Sequence, residues 1–169
     1  EALRLLGLME ARGLAQGPGA AATYNIVLKA LLAARDWSEA LLLFYQFKGT
    51  LTPGTPEARE AYGYALRCLE ASGGGRSSQQ LFQELKAKDP EGATGLNAAV
   101  HFRTLAKAKL WEEAHAAAPA AFVDPRFVNL ALCNFAAVAA AKSGDADAAV
   151  AFTRRPDADA ITFSAAIDG

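Results

Sequence analysis

Histidine and cysteine are scarce in this chain, with two of each among 169 residues. His101 and His115 do not form the two-histidine helical zinc motif with Glu112 and Glu113, and two distant cysteines cannot make a four-ligand structural site. No metal centre and no cofactor is therefore expected. The run Gly73-Gly74-Gly75-Arg76-Ser77-Ser78 lacks both the Gly-Lys-Ser/Thr ending of a phosphate loop and a strand before it, so it reads as a turn. With no catalytic constellation left, the chain is not expected to be an enzyme or to take a small-molecule substrate. An excess of either charge is also missing: 17 basic side chains face 18 acidic ones, for a net charge of -1. A nucleic-acid-binding domain is commonly basic overall, so any RNA site here must come from where the cations stand rather than from their number. No apolar run approaches the roughly 20 residues that span a bilayer; the most apolar stretch, Val128 to Ala141, is short and Ala-rich. Strand formers are sparse, and no segment alternates strictly between apolar and polar residues.

What is present is a helical composition with mean hydropathy +0.09 and 52% hydrophobic residues, enough to bury a sizeable core. Cys68 and Cys133 sit inside apolar helical patterns and are expected to be small, reduced core residues. A repeat organises the whole chain. The unit Thr23-Tyr24-Asn25-Ile26-Val27-Leu28, followed by Trp37-Ser38-Glu39-Ala40-Leu41 and Phe44, returns after 38 residues, with Tyr24 on Tyr62, Leu28 on Leu66, Phe44 on Phe82 and Lys48 on Lys86. A further shift of 36 brings Trp111-Glu112-Glu113-Ala114 onto the tryptophan segment, and another 35 brings Asn134-Phe135 and Lys142-Ser143-Gly144 into place. Each unit holds two helical patterns. The first helices are predicted near 22–34, 58–72, 95–108 and 127–143, and the second near 1–12, 38–48, 76–88, 111–118 and 146–153, with another first helix from 161. Glycines and prolines, Pro119 among them, mark the joints. A short helix pair cannot bury its apolar faces alone, but stacked neighbours share one continuous core. The expected architecture is all-α, a right-handed α-solenoid of antiparallel helix-turn-helix repeats. Its units span approximately 1–19 (partial), 20–57, 58–94, 95–128, 129–159 and 160–169 (partial), as if taken from a longer array.

Thr23-Tyr24-Asn25 opening a first helix, and Trp37-Ser38-Glu39-Ala40-Leu41-Leu42-Leu43-Phe44 in the second, resemble the pentatricopeptide repeat (PPR). So do Glu1-Ala2-Leu3-Arg4-Leu5-Leu6-Gly7-Leu8-Met9-Glu10-Ala11-Arg12-Gly13-Leu14 and Thr162-Phe163-Ser164-Ala165-Ala166-Ile167. The resemblance implies an array that reads single-stranded RNA at about one base per repeat. It places base-facing positions at Asn25, Gly63, Ala99, Asn134 and Ser164, and a second set near Ala58 or Thr55, Thr94, Asn129 and Asp159. Gly63 and Ala99 offer nothing to a base edge, which leaves Asn25, Asn134, Asp159, Ser164 and Asn129 as candidates. Four residues beyond the first set, Lys29, Arg67 and Arg103 fall at one repeat position and form a candidate column of phosphate contacts.

Two functions follow. The first is binding of single-stranded RNA in organellar RNA metabolism or translation, in a mitochondrion or chloroplast as the resemblance implies. The alternative is a scaffold subunit of a large organellar ribonucleoprotein or protein assembly, such as a mitochondrial ribosome. The balanced charge, the missing base-reading side chains and the Ala-rich fourth unit around Leu132 and Ala139 point to that alternative.

Overall fold

The computed structural model describes residues 19–153 and, ahead of them, Arg4, Gly7 and Ala11, which are helical. The described residues are all-helical, with no strand among them. Eight α-helices follow one another: α1 (Ala20–Ala33), α2 (Trp37–Phe47), α3 (Pro56–Ser72), α4 (Gly75–Lys88), α5 (Gly95–Lys107), α6 (Trp111–Ala121), α7 (Leu130–Lys142) and α8 (Ala146–Thr153). Short 3-10 turns at Lys48–Thr50 and Pro125–Phe127 lie between pairs. No described helix is long and apolar enough to cross a membrane.

Each helix packs on the next, and the odd-numbered helices also touch one another, α1 on α3, α3 on α5 and α5 on α7. The same turn closes every pair. Asp36 N–H donates to the Leu31 carbonyl, Gly74 to Leu69, Leu110 to Leu105 and Asp145 to Ala140. The residue before each donor has positive φ: Arg35 (60°), Gly73 (76°), Lys109 (58°) and Gly144 (80°). This is the Schellman stop, in which a left-handed residue lets the chain satisfy a carbonyl of the last helical turn. It recurs at intervals of 38, 36 and 35 residues, the spacing of the sequence repeat. In two of the four turns a cation stands where glycine would be unstrained.

Starts are set by side chains. Thr55 accepts from Ala58 N–H at 3.3 Å with Pro56 in the first turn, so α3 begins two residues before the predicted 58. Asn129 accepts from Leu132 N–H at 3.0 Å and starts α7 at Leu130 rather than at 127, where the chain is still a 3-10 turn. Pro119, expected to end its helix, lies inside α6, which runs on to Ala121. The proline forfeits only the bond to the His115 carbonyl, and its ring stays exposed, so the last turn survives.

The interior is continuous from α1 to α7. Leu28, Leu66 and Leu105, one from each of the first three odd helices, are fully buried, as are Phe44 and Phe102. Rings add to it: Tyr24 stacks on Phe47 at 4.4 Å within the first pair, and Phe44 meets Tyr62 of the next pair edge-on at 5.1 Å. Trp37 and Trp111 lie half-buried against this core, a packing role. On α7 the alanines 136, 137, 139 and 140 are fully buried together with Leu132. Leu132 and Ala139 are thus spent inside the chain and present no face to a partner. Cys68 and Cys133 are free and buried, and burial pushes the Cys68 thiol up to about 11.

Candidate nucleic-acid interface

Of the candidates that sequence placed toward RNA, the odd helices carry Asn25, Lys29, Arg67, Arg103 and Asn134, and α3 is the centre of the row. Its N-terminal half is gripped from both sides by buried asparagines. From α1, Asn25 Nδ2 donates to the Glu57 carbonyl at 2.9 Å and to Glu60 Oε2 at 3.2 Å. From α5, Asn97 Nδ2 donates to the Gly92 carbonyl at 2.9 Å and to the Arg59 carbonyl at 3.3 Å. Asn25 is 4% exposed. Its place is between helices, and its buried Oδ1 finds no donor among the described residues. Asn129 is an exposed helix cap, and Asn134 is half-buried on α7. Asp159 and Ser164 lie outside the described residues.

Asn97 escaped the sequence alignment, which set Ala99 opposite Asn25. Ala99 is fully buried in the core. The signal was present: Leu96-Asn97 after the helix start repeats the order of Tyr24-Asn25, two residues earlier than the period implied.

Between α3 and α5 a cleft of about 390 Å³ opens, lined by Arg59, Gly63, Tyr64, Arg67, Thr94 and Asn97, with Glu60, Glu91, Gly92 and Leu96 completing it. Gly63, Thr94 and Arg67, picked separately from the repeat, meet here. Gly63 has to be bare, because a Cβ on it would stand 2.8 Å from Asn97 Oδ1. Arg59 is pinned by Asp89, at 2.6 Å and 3.0 Å, and by Glu91 at 3.0 Å. The Arg59 guanidinium, the Gly92 N–H and the charge beside it hold the Asp89 carboxyl below its usual range against the cost of burial. The Tyr64 hydroxyl donates to Glu60 Oε1 at 2.6 Å, and burial with that carboxylate pushes the phenol up to about 12, so it stays protonated.

The three candidate cations differ in their surroundings. Lys29 and Arg67 are exposed and make no ion pair among the described residues. Arg103 does not match them. Its Nε and Nη2 donate to the two Glu70 oxygens at 3.1 Å and 3.3 Å, and Lys107 Nζ adds 2.8 Å to the same carboxylate. Burial works against the Glu70 charge, but these partners outweigh it and hold its pKa down. The reason is Glu70, which stands across the α3–α5 seam within reach of both Arg103 and Lys107.

No group of three or more metal-ligating side chains gathers among the described residues. No protein-family model matches the chain, and no curated protein matches it.

Proposed function

We propose that this chain is a stretch of right-handed α-solenoid of PPR-like repeats that binds single-stranded RNA along the α1–α3–α5 row with little base discrimination. The observation that carries it is the cleft between α3 and α5, where the repeat positions Gly63, Thr94 and Arg67 converge on an open space. Its volume falls within the range of about 300–1,000 Å³ of small-molecule pockets in general. Tyr64 and Leu96 supply ring and apolar surface, and Arg67 supplies a charge with no ion pair among the described residues. Weak base discrimination follows from the asparagines: Asn25 is spent on α3 and Asn129 on its own helix. The compartment implied by the resemblance, mitochondrion or chloroplast, belongs to the same proposal.

The test is fluorescence anisotropy of a labelled random single-stranded RNA against the purified chain, across roughly 50 to 200 mM salt. Saturable binding that weakens with salt, and is weakened further by Arg67→Gln, supports the assignment. Absence of binding at the lowest salt removes it.

A scaffold function is favoured by two different observations. The Arg103–Glu70–Lys107 cluster takes one phosphate contact away. Large apolar side chains also stand in solvent on the first pair, with Ile26 70% exposed on α1 and Leu42 and Tyr45 exposed on α2.

A further inference from the structure

Arg59 lines the α3–α5 cleft about two helical turns before Arg67, with Gly63 and Tyr64 between them in the helix. Its two carboxylate partners are not alike. Asp89, 6% exposed, accepts from Arg59 Nε at 2.6 Å and from Nη2 at 3.0 Å, and it also accepts from Gly92 N–H at 3.0 Å. That pairing fixes one edge of the guanidinium. The stem of Arg59 lies close to Gly92, where a Cβ would come within 3.0 Å of Arg59 Cγ. Glu91 is 85% exposed and reaches Nη2 alone, at 3.0 Å. Of the two hydrogens on Nη2, one goes to Asp89 and one to Glu91, while the two on Nη1 find no acceptor among the described residues. The far edge of the guanidinium is therefore a fork of N–H groups, with one exposed carboxylate across one prong.

Such a fork is the complement of two phosphate oxygens. An exposed ion pair like that of Arg59 with Glu91 changes an equilibrium by at most about fivefold, so an incoming anion can displace it. The buried Asp89 keeps the guanidinium in place meanwhile. We infer that Arg59 is a further phosphate contact of the RNA proposed above, and that Glu91 latches it until a phosphodiester takes the same hydrogens. The inference rests on that RNA reading. It sets two cations along one cleft, about 12 Å apart on α3 at a rise of about 1.5 Å per residue. Because Asp89 already balances its charge, Arg59 contributes geometry more than attraction, and its contact is weaker than that of Arg67.

The measurement is anisotropy of the labelled random single-stranded RNA with the wild-type chain, Glu91→Gln, Arg59→Lys and the double variant. Glu91→Gln should bind about threefold more tightly than wild type. That gain should vanish in the Arg59→Lys background, where an ammonium keeps the charge but has no fork to cover. An equal gain in both backgrounds means that Glu91 acts only through its charge at a distance, and it overturns the latch. Glu91→Gln without effect, while Arg67→Gln weakens binding, overturns the latch and leaves the RNA reading standing. No binding by any of the chains at the lowest salt removes both. Arg59→Lys can cost folding, since Asp89 loses its paired contact, so NMR of the wild-type chain carrying 15N-labelled arginine gives a second readout. RNA should shift the Arg59 Nη signals over the same range in which it shifts those of Arg67, and unmoved Arg59 signals overturn the inference. Inorganic phosphate at matched ionic strength separates the sources. Saturation of the Arg59 shift by phosphate at the concentrations where RNA saturates it assigns the fork to a free anion and removes RNA from it.

Discussion

Asn97 occupies the space that a side chain at Gly63 would need, with its Oδ1 2.8 Å from where that Cβ would stand. The amide cannot easily yield, because both hydrogens of its Nδ2 are committed to the Gly92 and Arg59 carbonyls. The bare glycine and the buried asparagine are one device, which seats α5 against α3 and leaves the cleft open.

A glycine inside a helix ordinarily costs about 0.5–1 kcal/mol relative to alanine. At Gly63 the sign should reverse. Gly63→Ala is expected to lower stability in urea by about 1 kcal/mol, as the overpacked contact outweighs the gain in helix propensity. In an Asn97→Ala background the same substitution should stabilise. Additive effects of the two changes would show that the contact does not matter.

Acid should weaken the fold in two windows. His101 has a folded pKa of about 4 against 6.5 when free, so its contribution is complete above 6.5 and lost as pH falls toward 4. Glu84 takes hydrogen bonds from Lys48, Lys88 and Tyr62; burial opposes its charge, yet these partners bring it down to about 2 from 4.5. Its contribution is complete above 4.5 and lost from there toward 2. His101→Gln should remove the first window and Glu84→Gln should shrink the second, both measured as thermal midpoint against pH.

Asp89 is buried and Arg59 is partly exposed, so their pair should respond unequally to mutation. Arg59→Met strands a carboxylate away from water and should lower the urea midpoint clearly. Asp89→Asn keeps an acceptor for Gly92 N–H and leaves an arginine that water can reach, and it should cost less. Equal losses would mean that the charge of Asp89 is unimportant and only its shape counts.

For RNA, Lys29→Gln with Arg67→Gln should flatten the plot of log affinity against log salt by about 1.4, at roughly 0.7 per released phosphate contact. Arg103→Gln should leave that slope unchanged and lower stability instead, because it strips Glu70 of its bidentate partner. A slope change from Arg103→Gln would restore the three-cation column.

The helices and their pairing were legible because they depend on local signals: breakers at the joints and apolar spacing of helical period. The period itself was legible to the residue, since Arg35, Gly73, Lys109 and Gly144 keep it in the turns. The site was less so. Gly63, Thr94 and Arg67, picked from the repeat, meet at one cleft, but the sequence could not show that Asn97, two residues before the aligned Ala99, faces the α3 seam, or that Glu70 reaches across it to Arg103. Contacts between neighbouring helices are set by side-chain fit, which a repeat alignment does not encode. Pro119 misled for a similar reason: the penalty for a proline depends on which carbonyl it orphans and on whether water reaches it.

The repeated Schellman stop has an evolutionary consequence. Four turns with one geometry, two of them accepting a strained cation at the left-handed residue, leave no room to gain or lose a residue between paired helices. The stretches between pairs, at 48–55, 89–94 and 122–129, obey no common geometry. Insertions and deletions in such a chain should therefore be tolerated in those stretches and not within the closed hairpins.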